Sequence, residues 1–249
     1  MSTEFSGLTA VVTGAGSGIG LAVSKALHES GATVFGLDIQ AGAMAPYATW
    51  IECDVGITAS VTSAFEKIKS MTTVVDVLAN NAGVGAVGTV ADATDDDWSR
   101  VMNINVAGIG RVTTAALPLL RASKAAAIVN TCSIAATAGL PKRAVYSASK
   151  GAVLSLTLAM AADLVGEKIR VNCVNPGTAD TPWVERLLSL ADDPAAEKAA
   201  LEARQPLGRL VSAPEVARAI MYLANPAQGS TTGTVLAVDG GMHGLRLPK

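Results

Sequence analysis

The sequence predicts an α/β fold in which a parallel, seven-stranded sheet carries helices on both faces. Short runs of β-branched residues alternate with longer segments of helical spacing along all 249 residues. Hydrophobic residues make up 50% of the chain but aromatic residues only 4%. The core must therefore be built from Ala, Val, Leu and Ile, as in sheets that are buried on both faces. Because no linker or internal repeat interrupts the alternation, we expect one domain over residues 1–249.

The predicted elements follow from apolar periodicity and from the residues that end each segment. The run LTAVVT at 8–13 predicts the first strand, and helical spacing over 19–30 stops at Gly31. The predicted strands are 8–13, 32–38, 49–53, 73–79, 127–132, 169–174 and 234–238. The predicted helices are 19–30, 60–70, 94–120, 145–164, 182–204 and 214–224. Thr94 and Asp97 predict a capping box at the start of the long helix, and Pro214 suits a first helical turn.

The charge and cysteine content exclude several classes of function. The formal net charge is −2, so no basic excess exists to neutralise the phosphates of a nucleic acid. The three cysteines form no C-x-x-C pair, which indicates free thiols in a reducing compartment. The N-terminal residues show no apolar signal region, and no apolar run reaches the length of a membrane span. We therefore expect a cytoplasmic protein without a nucleic-acid or membrane partner.

A glycine cluster lies between the first predicted strand and the first predicted helix. The segment TGAGSGIG at 13–20 spaces Gly14, Gly18 and Gly20 as G-x-x-x-G-x-G rather than as G-x-G-x-x-G. Glycines allow the backbone to approach a pyrophosphate closely, and the N–H groups of the helix start receive its charge. This position in the chain predicts a dinucleotide site.

Asp38 ends the second predicted strand, where a carboxylate can accept hydrogen bonds from both hydroxyls of an adenosine ribose. The same carboxylate repels a 2′-phosphate. No Arg or Lys stands beside Asp38, and Ser17 occupies the loop position where a phosphate-binding base would lie. The sequence therefore favours NAD over NADP.

Tyr146 and Lys150 are four residues apart and share one face of a predicted helix. An ammonium near a phenol favours the phenolate, so the pair can exchange a proton near neutral pH. Ser133 lies at the end of the fifth predicted strand, where its hydroxyl can hold the reacting oxygen beside the phenol. The three residues together predict acid–base chemistry on an alcohol or a ketone.

These motifs resemble those of the classical short-chain dehydrogenases/reductases, in family order and over essentially all of the chain. The matching segments are TGAGSGIG (13–20), Asp54-Val55, NNAG (80–83), Asn105 in NIN, Ser133, YSASK (146–150), NPG (175–177) and VDGG (238–241). The resemblance implies a Rossmann-type, doubly wound sheet and a hydride transfer between a secondary alcohol and a nicotinamide dinucleotide. It implies no metal, and His28 and His243 show no ligand-like spacing.

The resemblance also implies site residues. The implied catalytic residues are Asn105, Ser133, Tyr146 and Lys150. The implied cofactor-binding residues are Gly14, Ser17, Gly18, Ile19, Gly20, Asp38, Asp54, Val55, Asn81, Gly83, Tyr146, Lys150, Pro176, Gly177, Thr178 and Thr181. Asp54 and the backbone of Val55 are expected at the adenine, and 176–181 at the nicotinamide. Asn105 is expected to hold a helix distortion and a water that connects Lys150 to bulk solvent.

The substrate is predicted from a smaller set of residues, which are Ser133, Arg143, Tyr146, Trp183, Arg186 and Arg204. Arginine suits the bidentate binding of a carboxylate, although each of these arginines also suits a solvated surface. Trp183 suits either an apolar wall of the pocket or an anchor that packs the lid segment, residues 178–210. The stretches PGTADTPWVERL and ARQPLGRL resemble the subgroup of cytosolic hydroxybutyrate-type and 2-keto-3-deoxy-L-fuconate dehydrogenases. We therefore expect a small hydroxy acid or sugar acid as substrate.

Other functions stay open on this evidence. A dehydrogenase of a neutral sugar or polyol and a 3-oxoacyl reductase are the alternatives among enzymes, and the second is disfavoured by Asp38. A dinucleotide-binding sensor without activity is a remote alternative, because the catalytic residues are all present. The Ala-rich faces of 105–120 and 152–164 suit close helix packing and, with the family resemblance, predict a homotetramer.

Overall fold

The computed structural model describes residues 3–189 and 191–246, and it confirms the predicted fold class. Seven parallel strands form the main sheet in the order β3-β2-β1-β4-β5-β6-β9. These strands are β1 (Thr9–Thr13), β2 (Thr33–Asp38), β3 (Thr49–Glu52), β4 (Val77–Asn80), β5 (Ala127–Thr131), β6 (Arg170–Pro176) and β9 (Val235–Val238). The strand order reverses direction at β1, as in a doubly wound Rossmann-type sheet.

Helices cover both faces of this sheet. The α-helices are α1 (Gly18–Glu29), α2 (Thr58–Met71), α3 (Asp95–Met102), α4 (Gly108–Leu120), α5 (Ala144–Leu164), α6 (Pro182–Ser189), α7 (Pro194–Ala203) and α8 (Ala213–Ala224), of which α6 and α7 belong to the lid segment and pack on each other. One core cluster lies under α2, α4 and α5 and includes Phe65, Leu120 and Val153. The other lies under α1 and α8 and includes Leu27 and Ile220. Strands β1, β5 and β6 are buried along their whole length because each is covered on both faces.

The predicted strand 73–79 begins only at Val77 in the structure. The backbone N–H of Val75 bonds to the carbonyl of Leu119 instead of to a neighbouring strand. The carboxylate of Asp76 accepts hydrogen bonds from the Thr9 N–H at 2.8 Å and from the Ser123 hydroxyl at 2.6 Å. These contacts anchor the start of the strand, and the backbone of Asp76 already bonds to Thr9 and Ala127 of the two neighbouring strands.

The predicted continuous helix 94–120 is also wrong in one respect. Thr94 and Asp97 do form the predicted capping box at its start. However, Asn103–Ala107 forms a π-helical turn, which separates α3 from α4. Such turns occur frequently at functional sites, and this one packs against α5 through the bond from Asn105 to Ser149.

The lid segment departs most from the sequence prediction, which placed one helix over 182–204. The structure has two helices, because Asp193 caps α7 by accepting hydrogen bonds from the N–H groups of Ala195 and Ala196, and Pro194 follows in its first turn. Two short strands, β7 (Ala179–Asp180) and β8 (Val211–Ser212), pair with each other at the two ends of the segment. The lid is therefore closed at its base by a two-residue ladder.

One described helix is long and apolar enough, by length and composition alone, to cross a membrane: residues Ala144–Glu167, which contain α5. The expectation that no segment has these properties is thus wrong for this helix. Its inner face packs into the core through Val153, Met160 and Leu164. A core helix of this kind passes the same test, so the finding does not indicate a membrane span.

Candidate active site

A cleft of about 330 Å³ lies beyond the carboxyl ends of the strands, and it brings together most of the residues predicted from the sequence. Its walls come from the loops after β1, β2, β4, β5 and β6, from the start of α5 and from the lid segment. The predicted residues that line it are Gly14, Ser17, Gly18, Ile19, Asp38, Asn81, Gly83, Ser133, Arg143, Tyr146, Lys150, Pro176, Gly177, Thr178, Thr181, Trp183, Arg186 and Arg204. This volume is typical of a small-molecule site.

The glycine loop has the geometry of an anion cradle. Gly14 and Gly18 have φ angles of 66° and 54°, which favour glycine. A Cβ at Gly14 would lie 2.9 Å from the Cα of Ala82, so the loop approaches the segment after β4 closely. Ser17 precedes α1 but makes no side-chain capping bond, and the first turn holds no acidic residue. The N–H groups at this helix start are therefore suited to receive a pyrophosphate.

Asp38 is held in one orientation at the end of β2. Its Oδ2 accepts a hydrogen bond from the Gly16 N–H at 2.9 Å, and its Oδ1 accepts one from the Gln40 N–H at 3.2 Å. Among the ion pairs of residues 3–189 and 191–246, none includes Asp38. A carboxylate is thus directed into the cleft without a cation beside it.

Tyr146, Lys150 and Ser133 meet at the centre of the cleft. Helix α5 begins at Ala144, so Tyr146 lies in its first turn and Lys150 one turn later. The Lys150 Nζ lies 5.7 Å from the centroid of the Tyr146 ring and donates a hydrogen bond to the carbonyl of Thr131 at 2.9 Å. The Ser133 Oγ accepts a hydrogen bond from the Ala135 N–H at 3.2 Å, which leaves its own proton available for donation.

Asn105 lies in the π-helical turn and is buried, outside the cleft wall. Its Nδ2 donates to the Val84 carbonyl at 2.9 Å and to the Ser149 Oγ at 3.0 Å. Its Oδ1 accepts from the Val84 N–H at 2.8 Å. The helix distortion that the family resemblance implies at this residue is therefore present, and Asn105 joins three segments around Lys150.

Three predicted cofactor residues lie away from the cleft wall. Gly20 packs against the carbonyl of Gly14, and a Cβ there would lie 2.7 Å from the Asn81 Nδ2. The Oδ1 of Asp54 accepts a hydrogen bond from the Gly56 N–H at 2.8 Å, so its side chain stabilises a turn. The Val55 side chain is buried, and its carbonyl accepts a bond from Arg111 at 3.2 Å. These contacts place the three residues in the structure that supports the cleft wall.

Three arginines surround the mouth of the cleft. Burial and the nearby Arg204 guanidinium lower the pKa of Arg143, while Tyr146 and Glu197 act in the opposite direction. Arg143 donates one long hydrogen bond, 3.4 Å, to the carbonyl of Ala86. None of the ion pairs found in the described part of the chain includes Arg143, Arg186 or Arg204.

Trp183 connects the lid to Tyr146 and Arg143. Its ring lies nearly parallel to that of Tyr146, with 6.4 Å between centroids and 20° between planes. The guanidinium carbon of Arg143 lies 5.5 Å from the centroid of the same indole. Sequence reasoning missed twelve other lining residues, which are Ala82, Val84, Gly85, Thr131, Cys132, Ile134, Leu140, Ala179, Pro182, Val184, Leu187 and Leu201. The apolar positions of α6 and α7 were the available signal for the last three.

The three cysteines are free and buried, as the sequence predicts. Burial raises the pKa of the Cys53 thiol to about 11. Cys132, which precedes Ser133, donates a hydrogen bond to the carbonyl of Lys150 at 3.2 Å. A hydrogen bond from Cys173 lowers the pKa of the Cys132 thiol. Cys132 also lines the cleft, and its Sγ lies against the backbone of Lys150.

Comparisons with known proteins agree with this geometry. The family model described as enoyl-(acyl carrier protein) reductase matches residues 14–243. The dehydrogenase/reductase SDR family member 6 of Rattus norvegicus is 38% identical, over 94% of this chain and 97% of its own length. The cis-4-hydroxycyclohexanecarboxylate dehydrogenase of Sinomonas cyclohexanicum is also 38% identical, over 97% of this chain and 98% of its own length.

Solved structures show the same fold over the whole chain. The ligand-free aldohexose dehydrogenase of Thermoplasma acidophilum superposes with a TM-score of 0.93 at 30% identity, and each chain is covered to 100%. The Pseudomonas aeruginosa RhlG/NADP active-site complex superposes with a TM-score of 0.89 at 31% identity, over 98% of this chain and 100% of its own. With the family model and the curated relatives, they place this chain in the short-chain dehydrogenase/reductase family, as an oxidoreductase that acts on CH–OH groups and binds a nicotinamide dinucleotide.

Proposed function

We propose that the enzyme transfers a hydride between the secondary alcohol of a small hydroxy acid or sugar acid and NAD. The observation that carries this proposal is the position of Arg143 beside Arg204 at the cleft that holds Tyr146. The Arg204 guanidinium is close enough to contribute by repulsion, after burial, to the lowered pKa of Arg143. A bound carboxylate removes this repulsion and pairs with the fork of donors that an arginine presents.

The environment of Arg143 strengthens this interpretation. Its side chain is half-buried, and its hydrogen bond to Ala86 is long, so much of its hydrogen-bonding capacity is free for a ligand. Arg186 and Arg204 come from the lid segment and line the same cleft, so their charge is available to the same acid. The name of the relative from Sinomonas cyclohexanicum describes a hydroxylated carboxylate as its substrate, which supports the same class.

The proposed cofactor is NAD because Asp38 presents a fixed carboxylate where an adenosine ribose binds. The cleft residues fit a dinucleotide, since the glycine loop offers uncapped helix N–H groups and the Gly16 and Gln40 N–H groups orient Asp38. The RhlG structure contains NADP, so cofactor preference varies among the structural neighbours. The cofactor-binding set that we propose is the one predicted from the sequence; the part of it that lines the cleft has the clearest structural support.

The bound dinucleotide supplies the hydride acceptor, and the protein supplies the proton chemistry. In oxidation, Tyr146 takes the alcohol proton as a phenolate, which the Lys150 ammonium stabilises. Ser133 donates a hydrogen bond to the reacting oxygen. In reduction, Tyr146 returns the proton as an acid. Asn105 keeps the loop after β4 and α5 in fixed positions around Lys150.

The experiment that tests the substrate class compares acids with their neutral partners. Initial rates of NADH formation are measured for short 3-hydroxy acids and sugar acids, and for their esters or alcohols, with wild type and Arg143→Ala. We expect wild type to prefer the acids, and Arg143→Ala to erase this preference through a rise in KM. Arg218→Ala, an exposed arginine on α8 outside the cleft, is the matched control. Equal turnover of acids and neutral compounds by wild type contradicts the proposal.

A second candidate is a dehydrogenase of neutral sugars, which the likeness to the Thermoplasma acidophilum aldohexose dehydrogenase favours. The same substrate panel distinguishes it, because an aldose then turns over and Arg143→Ala has little effect on its KM. A 3-oxoacyl reductase would instead prefer thioester substrates and NADPH. The carboxylate of Asp38 disfavours NADPH, because it repels the 2′-phosphate.

We further propose a cytoplasmic homotetramer. The buried free thiols suit a reducing compartment. Leu158, on the outer face of α5, is 48% exposed in one chain, although the helix is Ala-rich and strongly apolar. Chromatography with light scattering is expected to give four chains per particle, and a monomer at micromolar concentration contradicts the proposal.

A further inference from the structure

We infer that Gly85 is a specificity-determining residue, which limits substrate length by seating the indole of Trp183 beside Tyr146. Gly85 lies in the loop after β4 and lines the cleft, but it carries no side chain with which to touch a ligand. Its effect is therefore indirect. It leaves an open space on the cleft wall, and a lid residue fills that space.

The geometry of this space is specific to one side chain. A Cβ at Gly85 would lie 2.6 Å from the Cε2 and 2.8 Å from the Nε1 of Trp183, and closer still to its Cζ2. These three nearest atoms all belong to the indole. Gly85 does not have the positive φ angle that excludes other residues. The indole, rather than the backbone conformation, is therefore what requires glycine at this position.

The seated indole forms a wall next to the reacting centre. It lies nearly parallel to the Tyr146 ring, and it also lies under the Arg143 guanidinium at 5.5 Å. A substrate whose reacting oxygen meets Tyr146 therefore has aromatic surface along one side and a cation beyond it. Additional carbons on that side collide with the indole, so the wall favours short chains.

A methyl group at position 85 removes this wall without touching the catalytic groups. Because a real Cβ does not tolerate contacts below 3.0 Å, the indole must leave its place in Gly85→Ala. Its displacement separates it from Tyr146 and from Arg143. We expect the lower activity with short substrates to appear as a higher KM, since the proton chemistry of Tyr146 and Lys150 is unchanged.

This inference concerns the size of the substrate and rests on the proposed function only in the choice of compounds. The test therefore uses two homologous series, straight-chain 3-hydroxy acids and the matching secondary alcohols. Each series covers about four to eight carbons and increases by one methylene group at a time. The length dependence is evaluated in whichever series turns over. If only the alcohols react, the carboxylate proposal fails while the size limit is still measured.

The variants are Gly85→Ala, Trp183→Ala and the double variant, with kcat and KM measured at every chain length. Gly139→Ala is the matched control, because a Cβ there meets no atom within 4 Å and its backbone is unstrained. We expect Gly85→Ala to lower kcat/KM by about tenfold for the shortest substrate and by less for the longest. In the Trp183→Ala background, the same change is expected to have no effect beyond about twofold.

Two results overturn the inference. One is an equal fold loss of kcat/KM at all substrate chain lengths in Gly85→Ala. The other is a loss of kcat/KM on adding Gly85→Ala to Trp183→Ala that is as large as the loss in wild type. The effect would then not depend on the indole. If Gly85→Ala alone does not fold, the double variant decides: recovery of a cooperative melting transition supports a clash with the indole, and failure in both backgrounds contradicts it.

Discussion

Asn105 binds both backbone groups of Val84 with one carboxamide, as a neighbouring strand would. The Val84 N–H donates to Oδ1 at 2.8 Å, and the Val84 carbonyl accepts from Nδ2 at 2.9 Å. The second Nδ2 proton goes to the Ser149 Oγ, which itself donates to the Tyr146 carbonyl at 2.7 Å. The backbone of Tyr146 is thus connected to the loop after β4 through a buried amide.

Asn105→Asp is expected to lose both stability and activity. The carboxylate keeps the shape of the amide but has no N–H donor, and it faces the Val84 carbonyl in a buried site. A buried acceptor left unpaired costs about 1–3 kcal/mol, and more beside a charge. Melting temperature and kcat measure the two effects. Asn225→Asp is the control, because Asn225 lies at the end of α8, far from the cleft, and its side chain bonds to exposed groups. Wild-type stability in Asn105→Asp would contradict the role assigned to the amide.

Tyr146→Phe is expected to lower kcat by about 10²–10⁴-fold, the usual contribution of a positioned acid or base. The change removes one hydroxyl and leaves the ring against Trp183 and Lys150. NADH binding, measured by fluorescence titration, should remain within a few fold of wild type. Tyr222→Phe, on the exposed side of α8, is the control. An active Tyr146→Phe enzyme would require another proton donor.

Asp38→Ala is expected to reduce the preference for NAD over NADP by at least about tenfold, since a single unit charge near a phosphate contributes more than 1 kcal/mol outside bulk water. The substitution also frees the Gly16 and Gln40 N–H groups, which then become donors for a 2′-phosphate. The ratio of kcat/KM for the two cofactors measures the change. Asp38→Glu, which keeps the charge, serves as the comparison. A wild-type enzyme that prefers NADP contradicts the interpretation of Asp38.

Glu215 is expected to make stability depend on pH below about 4.5. Hydrogen bonds from Arg209 and Ser212 lower the pKa of Glu215 to about 2. A carboxyl with a depressed pKa stabilises the fold fully above its unfolded value, near 4.3, and loses that contribution as pH falls toward 2. The difference in melting temperature between wild type and Glu215→Gln should therefore shrink across this range. Glu66→Gln, at an exposed position of α2, should show no such trend.

The sequence was sufficient to predict the sheet and most of the cleft wall. Strands that are buried on both faces leave a continuous apolar signal, as in β1 and β5, and parallel strands necessarily bring their carboxyl ends together. The residues of the glycine loop, Ser133 and Tyr146 all follow such a strand or begin a helix. Their positions in the cleft are therefore consequences of topology.

Other features have no local signal. The strands β7 and β8 are two residues long, so no periodicity exists for them, and only the closure of the lid pairs Ala179 with Val211. The contact between Gly85 and Trp183 joins residues far apart in the chain. The apolar pattern of the sequence continues through the π-helical turn, so the sequence does not indicate where the regular helix is interrupted. Each of these depends on tertiary contacts that local propensity does not encode.

The π-helical turn also determines which insertions or deletions this helix tolerates. A turn of this kind contains one residue more than a regular helix does. Removal of one residue from Asn103–Ala107 would restore regular hydrogen bonding and leave the two flanking helices in nearly the same orientation, because the turn accommodates the extra residue locally. The change would instead move the residues inside the turn, so the Asn105 amide would leave Val84. The irregular turn therefore fixes the position of Asn105, and a shorter but more regular version is expected to be inactive.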